Sequence, residues 1–217
     1  MTRIACFFSG GKDSTFAAFW ALSQGFEPVL ITVRPEPYSM MFHHPNVEFT
    51  PLQAKAMDLE HIIADATEKN WNEVLVDFIS ELDVEGIVTG AIASEYQRRR
   101  FEEIAEKAGI PSYAPLWHKG GELLSEMLAH MEVYITAVSA EGLGKEWLGR
   151  PLAQLLDSKP KNIDKFLEGG EGETFVADAP FFRERIVING WDIEWDGVRG
   201  LARIKQATLK SKQQQQG

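Results

Sequence analysis

A single cysteine in 217 residues excludes an internal disulfide and any zinc site built on several thiolates. Long apolar runs are missing too: nothing approaches the ~18 uninterrupted hydrophobic residues of a membrane helix, so no membrane partner is expected. Nor is there a surplus of positive charge. With 22 Lys and Arg against 32 Asp and Glu, the formal net charge is −10, a field that disfavours direct nucleic-acid binding unless bases are concentrated locally. The opening MTRIACFFSGGKDS has no small-residue cleavage site and only about five apolar residues before its glycines, unlike a secretory leader. These absences lead to the expectation of a cytoplasmic protein in a reducing compartment. What remains is ordinary globular material, 44% hydrophobic and 25% charged, long enough for a main domain with a smaller one attached.

Strand and helix patterns alternate through the first half. IACFF before the glycines and PVLITV at 28–33 are continuous apolar runs of the kind a parallel sheet buries on both faces. Between them Phe16, Phe19, Trp20 and Ser23 recur at i, i+3, i+4, i+7 and predict a helical face. A long proline-rich loop occupies 34–51, helices fit 52–58 and 70–83, and 85–91 is a further buried strand. Residues 94–108 then place Phe101, Ile104, Ala105 and Ala108 on one helical face. This order predicts an α/β fold with a Rossmann-like, doubly wound parallel sheet over residues 1–118. The texture changes after that. GELLSEMLAHM and EVYITAVS suggest a helix and a strand, and another helix is expected near 145–156. Asn189-Gly190 and Asp196-Gly197 predict two-residue hairpin turns between short strands. Residues 119–217 are therefore expected to form a smaller α+β domain, and the polar tail KSKQQQQG to fray.

The densest chemistry lies in SGGKDS, residues 9–14. A strand ending in Gly10-Gly11 can turn tightly and bring its N–H groups to a ligand, while the helix behind it aims its positive end at the same spot. Lys12 adds a point charge suited to phosphate, Ser9 and Ser14 add hydroxyls, and Asp13 can cap the helix or face a magnesium ion. The spacing is neither that of a Walker A loop nor GxGxxG. An ordinary strand-to-helix turn capped by Asp13 is the plainer alternative.

Placed behind an N-terminal strand, SGGKDS resembles the PP-loop of the ATP pyrophosphatase superfamily, adenylating enzymes that cut ATP between its α and β phosphates. GAIASEYQRRR and the following PLW, within 90–117, resemble a segment of the diphthine-ammonia ligase family of that superfamily. The matching positions are Gly90, Ala91, Ile92, Ser94, Tyr96, Gln97, Arg100, Pro115, Leu116 and Trp117. EGGEGETFVADAPFF at 168–182 resembles the same family's Gly-Gly-Glu-x-Glu-Thr signature, through Gly169, Gly170, Glu171, Glu173, Thr174, Asp178, Pro180 and Phe181. His43 or His44 and Gln53 fit its His-containing loop loosely.

The resemblance implies ATP-dependent amidation of diphthine on translation elongation factor 2 with ammonium, through an acyl-adenylate, releasing AMP and pyrophosphate. It implies that Ser9, Gly10, Gly11, Lys12, Asp13 and Ser14 hold pyrophosphate, with Mg2+ at Asp13 and adenine near Val33 and Gly90. Ser94, Tyr96, Gln97, Arg100, Gly170 and Thr174 become substrate contacts, and Glu171 and Glu173 meet diphthine or ammonia, with Lys12 and Asp13 as the other reaction-centre groups. Each residue also has a bland reading: Ser94 with Gln97 is a capping box, Arg98 to Arg100 a solvated face, Trp117 core, and EGGEGET a glycine hairpin with solvated acids. Two other functions stay open, an RNA-thiolating or lysidine-forming PP-loop enzyme and a non-catalytic nucleotide-binding module, as does homo-oligomerisation.

Overall fold

A computed structural model describes residues 1–34, 45–66, 70–92, 94–119, 121–139, 143–158, 163–164, 167 and 170–212. In chain order the elements are β1 (Arg3–Phe7), α1 (Lys12–Ser23), β2 (Glu27–Arg34), α2 (Thr50–Met57), β3 (Glu60–Asp65), α3 (Trp71–Glu81), β4 (Ile87–Val88), α4 (Glu95–Ala108) and β5 (Ser112–Tyr113). They continue with α5 (Gly121–His130), β6 (Glu132–Val138), α6 (Leu152–Asp157), β7 (Gly172–Asp178), β8 (Glu184–Ile188), β9 (Trp191–Trp195), β10 (Gly200–Ile204) and β11 (Ala207–Ser211). Two compact units emerge, one of Met1–Val47 with Leu59–Lys119 and one of Glu48–Asp58 with Gly120–Gly217.

The first unit is a parallel sheet in the order β3-β2-β1-β4-β5. Its strands are buried on both faces, which is why they read as unbroken apolar runs rather than alternating ones. Ala5, Phe7, Val29, Ile31, Val33 and Ile87 form one core with Trp71, Leu75 and Ile79 of α3 and Ile104 and Ala105 of α4. The pleat sends Ile4, Cys6 and Leu30 to the opposite face, the side of α1. The doubly wound arrangement expected from the alternation is thus present. Because the chain moves from β1 outward to β3 and then returns to β4, the order reverses between β1 and β4. Open parallel sheets bind ligands at the carboxyl ends of the strands at such a reversal.

One expected face is wrong. The aromatic side of α1 is not its buried side: Ser14, Ala17, Ala18 and Ala21 are buried, and Phe19 is exposed. Small residues let the helix lie close to the sheet behind the glycine turn. The displaced aromatics gather at its flank, where Trp20, Phe26 and Tyr113 have ring centroids 5.7–6.3 Å apart.

The second unit carries an antiparallel sheet β7-β6-β10-β9 and a two-stranded pair β11-β8. Although α2 lies between two strands of the parallel sheet in sequence, it clusters with this unit. Gln53 is fully buried there and donates its amide to the Val176 carbonyl at 2.8 Å, and Arg183 N–H donates to Ala56 O at 2.6 Å. Gln53 therefore ties an element down, while His43 and His44 lie outside the described residues. In place of the helix expected near 145–156 there is a 3-10 turn, Lys145–Trp147, followed by the six-residue α6.

Asn189-Gly190 is not a hairpin turn either. β8 pairs with β11 and β9 with β10, and the hydrogen bonds Asn189 N to Gln206 O at 2.7 Å and Lys205 N to Gly190 O at 3.1 Å bridge the break. Gly190, at φ +101°, bends one arm of a long ribbon from one sheet to the other, a use of glycine that local sequence does not distinguish from a turn. The true reversal is at 196–199, where the Asp196 carboxylate accepts from the Val198 and Arg199 N–H groups at 2.8 and 2.7 Å. Those bonds hold its pKa below the usual aspartate value.

Candidate active site

In the first unit the 9–14 loop leaves β1 at the point of reversal. Phe8 N–H donates to Ile31 O at 2.8 Å, and the Thr32 hydroxyl donates to Phe8 O at 2.7 Å, so β2 holds the start of the loop. With its hydrogen spent on Phe8, the Thr32 oxygen accepts from His61 Nε2 at 2.9 Å. Burial lowers the His61 pKa and favours that neutral ring. Gly10 follows in the left-handed region at φ +82°.

The two serines tie the loop to itself. Ser14 Oγ donates to Gly11 O at 3.1 Å and accepts from Ser9 N–H at 3.2 Å, with the two hydroxyls 3.2 Å apart. Gly11 is the N-cap of α1 and makes no side-chain cap bond. Lys12 is only 3% exposed, and its Nζ lies 2.5 Å from Asp13 Oδ2. Asp13 is thus the counter-charge of a buried ammonium, a stronger requirement than a helix cap.

Gly90 leaves β4 on the other side of the reversal. A Cβ there would lie 2.7 Å from Asp13 C and Ser14 N, so β4 can approach the first turn of α1 only without a side chain. The structure thereby brings Gly90 together with Asp13 and Ser14. Val33 lies one residue before the end of β2, with its side chain in the core and its backbone in register with Ala64 of β3.

Ser94 caps α4, accepting from Gln97 N–H at 3.3 Å, which is the serine half of the capping box its spacing suggests. The arginines behind it are not a plain solvated face. Arg98 pairs with Glu102 at 2.7 Å and lies over Trp117 at 4.5 Å, and Arg99 pairs with Glu95 at 3.3 Å. Arg100 lies over the rings of Tyr96 and Trp71 at 4.3 and 4.9 Å. In sequence Trp71 is marked only as a residue of the helix expected over 70–83. Its contact with Arg100 crosses from α3 to α4, and no local pattern carries it.

Among the described residues, no group of three or more His, Cys, Asp or Glu could hold a metal. One carboxylate, Asp13, stands at the loop, which suits Mg2+ carried by nucleotide phosphates better than a resident ion. Cys6 is fully buried on β1, and burial pushes its thiol up to about 12, so it supplies no thiolate for sulfur chemistry.

In the second unit the glycine-acid stretch runs into β7. Gly170 turns at φ +82°, its carbonyl accepts from the Ser139 hydroxyl, and Ser139 N–H donates to Glu171 O at 2.9 Å. A Cβ on Gly172 would lie 2.5 Å from Ala137 O, at an irregularity in the β6–β7 register. Glu173 and Thr174 sit opposite Ala137 and Ile135. Glu171 Oε1 accepts from Asp164 N–H at 3.2 Å, and its buried Oε2 has no partner among the described residues. A buried carboxylate oxygen in that state suits a cationic ligand.

Residues 2–112 match the diphthamide synthase N-terminal domain family, and residues 119–210 match the diphthamide synthase C-terminal domain family. Relatives named diphthine--ammonia ligase include one from Schizosaccharomyces pombe, 33% identical over 85% of this chain and 36% of its own length. Another, from Bos taurus, is 31% identical over 88% of this chain and 84% of its own. The chain thus spans about a third of the yeast relative and most of the bovine one. Among solved structures, a predicted subunit of tRNA methyltransferase from Methanocaldococcus jannaschii aligns over 73% of this chain and 88% of its own, at 15% identity and a TM-score of 0.44.

Proposed function

Because the chain belongs to the diphthamide synthase family, we propose that it joins ammonia to the carboxylate of diphthine on translation elongation factor 2, consuming ATP and releasing AMP and pyrophosphate. The observation that carries the ATP part is the loop itself: a glycine turn with the buried cation Lys12, opening a helix at the reversal point of a parallel sheet.

A carboxylate is a poor electrophile. In this reading one of its oxygens attacks the α-phosphorus of ATP, the bond from that phosphorus to the bridging oxygen breaks, and pyrophosphate leaves. Ammonia then attacks the acyl carbon of the adenylate, AMP departs, and the nitrogen loses a proton. Both nucleophiles belong to substrates, so the protein's task is to place groups and stabilise charge. Ser9, Gly10, Gly11, Lys12 and Ser14 take the pyrophosphate. Asp13 faces the Mg2+ that would travel with the nucleotide and neutralise phosphate charge, and the backbone of Val33 and Gly90 borders the adenine. Tyr96, Gln97 and Arg100 face the substrate beyond the Ser94 cap. Glu171 and Glu173, with Gly170 at the turn before β7 and Thr174 beside Glu173 on that strand, receive the trimethylammonium of diphthine or the incoming ammonium.

The test is product identity. AMP and pyrophosphate should form only when ammonium and the diphthine-bearing factor are both present. ADP and phosphate, or turnover with RNA in place of the factor, would overturn the reading.

A further inference from the structure

Of the three consecutive arginines at 98–100, two spend their guanidinium groups on carboxylates of their own helix, Glu102 and Glu95. Among the described residues no carboxylate pairs with Arg100. Its guanidinium lies over Tyr96 and Trp71 instead. Aromatic rings hold a guanidinium in place yet satisfy none of its five N–H donors, so its planar fork stays available for an oxyanion.

Its direction follows from the same contacts. Tyr96 is four residues earlier on α4, so Arg100 leans back toward the start of that helix. Trp71 is the first residue of α3. Since α3 follows β3 and α4 follows β4, both helices begin at the carboxyl edge of the parallel sheet, the edge from which the 9–14 loop and Gly90 also depart.

We propose that Arg100 anchors the acceptor carboxylate of the protein substrate, and that Trp71 is a positioning residue that keeps its fork in place. This rests on the amidation reading above. In that reaction the glycine turn and Lys12 already serve the phosphates, and the one other anion is the carboxylate. Its charge vanishes when the amide forms, so an Arg100 anchor distinguishes substrate from product.

The experiment measures binding of elongation factor 2 carrying diphthine and of the same factor carrying diphthamide, with ATP affinity as a control. The wild-type chain should prefer diphthine about tenfold or more, the gain expected of a bidentate charged contact. Arg100→Lys, which keeps the charge but not the planar fork, should lose most of that preference with ATP affinity unchanged. Trp71→Leu should lose it too and Trp71→Phe should keep it. A preference retained in Arg100→Lys overturns the proposal, and so does a loss of ATP affinity in its place, which would assign the arginine to phosphate. AMP formation by the wild-type chain separates the two levels: without it the amidation reading falls and takes the anchor with it, whereas with it a retained preference sinks the anchor alone.

Discussion

The two glycine-and-acid stretches, 9–14 and 170–174, look alike in sequence and solve different problems. At both, a glycine permits a backbone approach that a Cβ would block, Gly90 from outside against the first stretch at 2.7 Å and Gly172 from within the second against Ala137 O at 2.5 Å. The first approach joins a strand end to a helix start, which leaves a helix's positive end and a buried lysine at a sheet reversal. The second joins two antiparallel strands, whose N–H and C=O groups satisfy each other. Charge differs as well: the first stretch balances Lys12 with Asp13 internally, whereas the second holds an acid, Glu171, with a buried oxygen unmet among the described residues. In the proposed function that contrast assigns anions to the first stretch and a cation to the second.

Neutralising the charges tests that division most severely. Lys12→Met should reduce AMP formation by about 10²–10³, the loss expected when one preorganised group facing developing phosphate charge is removed, with ATP affinity falling alongside. Glu171→Gln keeps the shape and the bond from Asp164, so ATP affinity should hold while the KM for ammonium or for the protein substrate rises several-fold. Kinetics against each substrate separately would reverse the assignment if the two variants exchanged these signatures.

The paired glycines come next. Alanine at either position meets backbone atoms that cannot swing away, a cost of about 1–3 kcal/mol, so Gly90→Ala and Gly172→Ala should each lower Tm. Only Gly90→Ala pushes on Asp13 and Ser14. Saturating ATP should raise the Tm of Gly172→Ala as it does for the wild-type chain and fail to do so for Gly90→Ala. Equal ATP shifts in the two variants would break the comparison.

Much of the first unit was legible because its rules are local. Continuous apolar runs marked two-sided burial, and the paired glycines after the first run marked the turn from β1 into α1. The burial of α1 by alanine was not legible, because aromatic spacing follows the helical period whether the rings face the core or its rim. In the second unit Asn189-Gly190 misled for a related reason: the dipeptide specifies a bend, and whether that bend reverses a chain depends on what pairs with its arms, here Lys205 and Gln206. Long-range choices of partner also hid α2, which Gln53 ties to β7 across 123 positions, and Trp71, whose partner Arg100 lies on another helix.

The smallest expected effect concerns how the 9–14 loop is held from behind. His61 donates to Thr32, which fixes Phe8 O at the root of the loop, whereas at the start of 170–174 the Gly170 carbonyl is held by the Ser139 hydroxyl. Burial lowers the His61 pKa from its ordinary 6.5. The unfolded chain therefore binds the proton more readily than the folded one, and as pH falls through 6.5 the folded state loses stability, while above 6.5 the contribution is fully present. The ring is only partly buried, which keeps this contribution modest. His61→Gln can retain a donor to Thr32 without a titrating ring, so its Tm should fall less between pH 7 and pH 5 than that of the wild-type chain, and its ATP affinity at pH 7 should stay near normal. Were the two chains to lose Tm in parallel, the acid sensitivity would belong to other groups and the Thr32 contact would act by geometry alone.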